Sequence, residues 1–165
     1  MALRIRKQFL YENRKNVKAA IIVWDQQEKY LDRKHVIEAA WNWINMTIPV
    51  ISSTFASFSR MCKNLGAETL GHLFIDEAGQ ALPQAAVGAI YRSRHVMVVG
   101  DPLQIKPVLT LDSNTLYMLG EHFGVTEKYL SASASAQILA DAASQYGFYR
   151  KQDKAEDSWV GQVQN

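Results

Sequence analysis

Two continuous apolar runs, HLFID (72–76) and HVMVVGD (95–101), limit the possible folds most. Neither alternates apolar with polar residues, so neither reads as a strand with one face in water. Between them PQAAVGAIYRS (83–93) has a helical pattern, with Pro83 at the first turn, where its missing N–H costs nothing. A third run, IPVISS (48–53), is short and β-branched, with Pro49 at its entry, where a lost donor is tolerated. The three runs are centred about 23 residues apart, with one helical pattern in each gap. Continuous apolar strands alternating with helices predict a parallel sheet covered on both faces, and so an α/β fold. In such sheets ligands bind beyond the carboxyl ends of the strands. Those ends carry SST, DEAGQ and GDPLQ, after residues 53, 76 and 99.

The remaining segments are mostly helical in pattern. The apolar run from Ala20 to Trp24 fits either a strand or the start of a helix. In DRKHVIEAAWNWIN (32–45), Val36, Ile37, Ala40, Trp41 and Ile44 have helical spacing, with Asp32 as the expected N-cap. FASFSRMCKNLG (55–66) reads as a helix closed by Gly66. SNTLYMLGEHFG (113–124) and SASASAQILADAASQYG (131–147) follow, the second with Ser133 or Ser135 as cap and Gly147 as stop. The tail YRKQDKAEDSWVGQVQN is charged and then polar, and the chain has no internal repeat. The expected organisation is a helical lead-in over 1–47, a core over 48–110 and a helical segment over 111–165.

Composition excludes several classes. With 48% apolar residues the chain is not disordered by composition. A net charge of +2 does not by itself argue for nucleic acid or a membrane. The single Cys62 cannot form an internal disulfide, and no Cys/His spacing of a metal site exists. His35, His72, His95 and His122 are scattered and read as surface or core residues. No stretch approaches a membrane span, and MALRIRKQFLYENRK lacks an apolar leader core, so a cytoplasmic setting is expected. Trp24, Trp41, Trp43, Phe55 and Phe58 could stack bases, but at this spacing they fit packing between helices better.

The strand-end residues carry the chemistry. An Asp at the mouth of a buried strand suits Mg²⁺, which wants hard oxygen ligands and keeps part of its water shell. A Glu immediately after it points elsewhere and can polarise a water for attack on a phosphate. Asp76 and Glu77 are placed for those two roles. Read alone, they also fit solvated acids, or acids favouring the start of the next helix. Gly100, Asp101 and Pro102 make a sharp turn after the next strand and present Gln104 beside the acids. Ser52, Ser53 and Thr54 offer hydroxyls to a nucleic-acid backbone, and Phe55 can stack or pack. The competing role for Thr54 is a helix N-cap.

ISSTFASF, LFIDEAGQA and VMVVGDPLQIKPV, in this order and spacing, resemble motifs Ic, II and III of superfamily 1 helicases. The branch they are most similar to, 1B, contains the nonsense-mediated-decay helicases and their bacterial relatives. The match is tight over about residues 48–108. YLSASASAQILADAASQYG is also similar to the segment that precedes the second motor domain in such bacterial proteins. The resemblance implies a RecA-like P-loop NTPase domain driven by ATP and Mg²⁺ and acting on single-stranded DNA or RNA. It assigns Asp76 to Mg²⁺, Glu77 to water activation, Gln104 to sensing the γ-phosphate, and Gln80 and Asp101 to the site network. It places Ser53, Thr54 and Phe55 at the nucleic acid.

One part of such a motor is missing. A phosphate cradle reads G-x-x-x-x-G-K-[ST], yet the chain has no Gly-Lys, and its first glycine is Gly66. No arginine lies beyond Arg150 to complete an ATP site from a second motor domain. The expectation is therefore a partial RecA-like domain, an internal slice of a helicase that is inactive alone: a truncated reading frame, a degraded gene, or a fragment of an assembly whose other halves lie on another chain. The alternative is a module that binds nucleic acid or a partner protein without hydrolysis.

Overall fold

The computed structural model describes residues 1–100, 111–126, 129–130, 134–145 and 147, and the backbone of 148–152 and 155–161. Two compact units divide the chain, Met1–Thr69 and Leu70–Asn165, with the boundary inside the segment expected as one core.

The first unit is helical. It contains α1 (Ala2–Glu12), α2 (Arg14–Asp25), a 3-10 turn (Gln27–Tyr30), α3 (Lys34–Thr47) and α4 (Phe55–Met61). Ile37, Ala40, Trp41 and Ile44 recur at helical spacing on α3, and all four are buried. Ala20 of α2 is buried as well, and Trp24 meets Trp41 edge to face with ring centroids 6.1 Å apart. The ambiguous Ala20–Trp24 run is thus part of a helix. Phe9 of α1 stacks on Trp43 at 5.9 Å. Arg6 donates to the backbone oxygens of Met46 (3.0 Å) and Thr47, satisfying carbonyls that the end of α3 leaves open. The tryptophans therefore serve packing between helices.

Three expectations fail in this unit. Residues 48–53 form no strand; they are irregular, and Val50 and Ile51 are exposed. β-Branched composition favours a pleated, half-buried surface, and none is provided here. Asp32 does not cap α3: Arg33 occupies the N-cap position without a side-chain cap bond, and Asp32 pairs with Arg33 instead. The helix from Phe55 ends at Met61, well before Gly66. Beyond it Lys63 pairs with Glu28, Asn64 donates to Gln27, and Cys62 and Leu65 are buried.

The second unit is α/β. It contains β1 (Leu70–Ile75), α5 (Pro83–Tyr91), β2 (Ser93–Val98), α6 (Ser113–Phe123), α7 (Ala136–Ala143), β3 (Gly147–Gln152) and β4 (Ala155–Gly161). β1 and β2 are parallel neighbours, Leu70 opposite Ser93 and Ile75 opposite Val98, joined by the α5 crossover. This is the α/β architecture of a partial RecA-like domain, reduced among the described residues to two parallel strands. Pro83 opens α5 as expected. α6 is capped by Asp112 and closed by Gly124 at φ 66.

The sheet is not covered on both faces. His72, Phe74, His95 and Met97 share one face by their alternation and register, and all are exposed, Phe74 by 67%. The His72 and His95 rings stack across the strands at 5.0 Å. The tail also differs from expectation. Of the two candidate caps, Ser135 opens α7, which ends at Ala143. Gly147 is not its stop but the first residue of an antiparallel hairpin, β3–β4. Among the described residues no helix is long and apolar enough to cross a membrane.

Candidate functional site

The acidic pair stands at the carboxyl end of β1. Val99 N donates to Ile75 O (2.8 Å) and Ala78 N donates to Val99 O (3.1 Å), so the strand ladder runs on into the loop. These bonds bracket Asp76 and Glu77 and fix where the two carboxylates emerge. Ala78 is fully buried while both acids are exposed. The loop is thus rooted by its alanine and offers its carboxylates to solvent.

Glu77 has φ 53, in the left-handed region that side chains other than glycine rarely adopt. Asp76 Oδ1 accepts from Glu77 N at 2.9 Å, which holds one oxygen and leaves Oδ2 without a partner among the described residues. Gln80 N donates to Glu77 O at 2.9 Å, and Gln80 Nε2 reaches Glu77 Oε2 at 3.5 Å. Three of the expected site residues, Asp76, Glu77 and Gln80, therefore share one turn. Backbone strain at a residue with an exposed carboxylate is a feature of functional loops.

The end of β2 lies against this turn. A Cβ on Gly100 would stand 2.9 Å from Ala78 N and from Gly79 N, so only glycine lets the two backbones approach this closely. The neighbouring of DEAGQ and the start of GDPLQ thus holds as far as Gly100. Asp101 and Gln104 lie outside the described residues.

Sequence reasoning missed a third participant, the first turn of α7. Ala136 N donates to Ala81 O (2.9 Å) and Gln137 N to Ala78 O (3.2 Å), so α7 begins by binding the acidic loop from behind. Gln137 is 8% exposed; its Nε2 donates to Asp141 at 3.0 Å, which fixes the amide with Oε1 towards Gly100, 3.2 Å from that Cβ position. Oε1 is buried there without a hydrogen-bond partner among the described residues. The sequence offered only two ordinary polar residues at i and i+4, Gln137 and Asp141; that both are buried is set by the fold.

The expected nucleic-acid residues lie in the first unit. Thr54 is the N-cap of α4, its hydroxyl oxygen accepting from Ser57 N at 3.3 Å. Ser53 donates to Thr54 O at 3.3 Å, and Phe55 is half-buried at the helix start. The cap role uses the Thr54 oxygen as an acceptor and leaves its proton available to an outside oxygen.

Asp76 offers one free, hard carboxylate oxygen in water, which fits a divalent cation that keeps most of its shell. No group of three or more His, Cys, Asp or Glu converges on a metal position among the described residues. Compared with known proteins, residues 3–111 match a family model described as an AAA domain. No curated protein and no solved structure matches the chain.

Proposed function

Because the chain belongs to the helicase-like AAA domain family, we propose that it is part of the first motor domain of a superfamily 1B helicase. In the intact motor, ATP hydrolysis would drive movement along single-stranded DNA or RNA in the cytoplasm. The observation that carries this reading is the acidic turn: Asp76 and Glu77 exposed at a parallel strand's carboxyl end, Glu77 at φ 53, with the Ala78 and Gly79 backbone that follows packed against Gly100.

Asp76 would hold Mg²⁺ through Oδ2, since Oδ1 is already occupied by Glu77 N. When bound, Mg²⁺ neutralises charge on phosphate oxygens. Glu77 would take the proton of an attacking water, and Gln80 steadies that carboxylate from the same turn. Asp101 and Gln104 would complete the nucleotide site, Gln104 as sensor of the γ-phosphate. Ser53, Thr54 and Phe55 would contact the strand, the Thr54 hydroxyl donating to a phosphate oxygen.

The chain has no Gly-Lys, and so no lysine and backbone cradle for the β- and γ-phosphates. Holding the β- and γ-phosphates would need a cradle that these 165 residues do not supply. A second reading is a module that binds nucleic acid or a partner protein without hydrolysing ATP.

A Mn²⁺ titration followed by electron paramagnetic resonance tests the acidic turn directly. Weak binding in the millimolar range, lost in Asp76→Ala and kept in Glu77→Gln, is expected for one carboxylate plus water. Binding that survives Asp76→Ala would remove the metal assignment.

A further inference from the structure

The near-neutral net charge hides a division between the units. Met1–Thr69 has eleven basic and six acidic residues, a net +5, whereas Leu70–Asn165 has seven basic and ten acidic, a net −3. Six of the eleven lie between Arg4 and Lys18, with Glu12 the lone acid among them. Arg6 is spent on the end of α3, and the other five are exposed.

Their spacing gathers them. On α1, Arg4, Lys7 and Tyr11 fall at i, i+3 and i+7, one face of the helix. Phe9 lies to the other side, where it stacks on Trp43. The Arg14 guanidinium sits over the Tyr11 ring, 5.0 Å from its centroid, and carries the face across the α1–α2 joint at Asn13. Lys18 follows Arg14 at i+4, with Lys15 beside it. Among the described residues none of these five cations is in an ion pair. Tyr11, 65% exposed, is the aromatic in the middle of the strip.

We propose that this outer face of α1 and α2 is a binding surface for the backbone of single-stranded nucleic acid, separate from the Ser53–Phe55 segment. Unpaired cations along one helical face neutralise successive phosphates and release counterions. Tyr11, exposed and in contact with the Arg14 guanidinium, offers a base a stacking partner that every sequence can use. A lipid surface fits less well. A helix lying in a membrane interface needs a continuous apolar face beside its cations. The exposed Leu3 and Ile5 lie on opposite sides of α1, and Phe9 is already stacked on Trp43. The choice of nucleic acid over another polyanion rests on the helicase reading; the strip itself does not.

The test is fluorescence anisotropy of a labelled 20-nucleotide strand against the full chain over a salt series. It compares wild type with Lys7→Glu/Lys15→Glu/Lys18→Glu, Tyr11→Ala and Thr54→Ala. These strip lysines are exposed and make no described contact, and circular dichroism checks that the triple variant keeps its helices. The expected result is about tenfold or greater weakening in the triple variant, with a log–log salt slope shallower by about 2 for three lost contacts. Tyr11→Ala should weaken binding without changing the slope. Unchanged binding in the triple variant with loss in Thr54→Ala would overturn the strip while leaving the helicase reading intact. No strand binding by wild type at low salt would overturn it as well, as would binding only to phosphatidylserine vesicles.

Discussion

Met1–Thr69 buries large side chains, with Trp41, Ile37 and Cys62 the largest that are fully enclosed. Among the described residues of Leu70–Asn165 the buried apolar side chains are smaller: Ile75, Ala78, Ala86, Ala89, Ala134 and Ala136. In the first unit helices meet through aromatic and aliphatic volume. In the second, strand, loop and helix meet through backbone: Ala78 N on Val99 O, Gln137 N on Ala78 O, Ala136 N on Ala81 O, and Gly100 at near-contact. A packed volume tolerates reshaping but suffers when atoms are removed. A backbone junction suffers when atoms are added. The two units should therefore fail under opposite kinds of substitution, and the acidic turn sits in the one that cannot accept extra atoms.

Trp41→Ala should have the largest effect, because it empties the centre of the helical unit, where Trp41 is 2% exposed. A loss of about 3–5 kcal/mol is expected in chemical denaturation. A loss below about 1 kcal/mol would mean that the helical unit is not held by its tryptophan. Gly100→Ala adds a single methyl and should cost about 1–3 kcal/mol, because its neighbours are backbone atoms that cannot rotate away. Faster amide exchange at Ala78 and Gly79, with α3 unchanged, would place the damage at the acidic turn. Equal exchange in both units would erase the contrast.

Glu77→Gly should raise stability by up to about 1 kcal/mol, relieving a left-handed side chain at some entropic expense. A destabilised variant would show that the φ of Glu77 is not strained. The smallest effect concerns the cap of α6. Thr115 donates to Asp112 from its side chain (2.6 Å) and its backbone (3.0 Å), holding this carboxyl below its ordinary value of 3.8. A depressed folded value means stability that is present above the ordinary one and lost as pH falls through the folded one. An acid titration of Asp112→Asn should lack that component; identical acid profiles would remove the cap from the account.

The legible parts of the fold were those with local causes. α5 was readable from Pro83 and its apolar spacing, α6 from its pattern and Gly124, and β1 and β2 from uninterrupted apolar runs. Residues 48–53 misled because a β-branched run acts as a strand only when a neighbour pairs with it, which its own sequence does not specify. The β3–β4 hairpin was hidden by its charged residues for the same reason: its pairing, Phe148 opposite Val160, is a fact about two segments. Of the site, the turn through Asp76, Glu77 and Gln80 was visible as a motif, since all three lie within five residues. The support from Gln137 was not, because 60 residues of chain separate it from Glu77. The bare face bearing Phe74 and Met97 also ran against the pattern, as apolar content alone does not say what will cover it.

The central claim is that the acidic turn is a cation-binding half-site whose phosphate cradle the 165-residue chain does not contain. Calorimetric titration of Mg·ATP into the purified chain, with Asp76→Ala beside it, measures this most directly. The expected result is no binding up to millimolar nucleotide in either protein. Micromolar binding to the wild type that Asp76→Ala abolishes would contradict the claim and make this chain a nucleotide-binding protein in its own right.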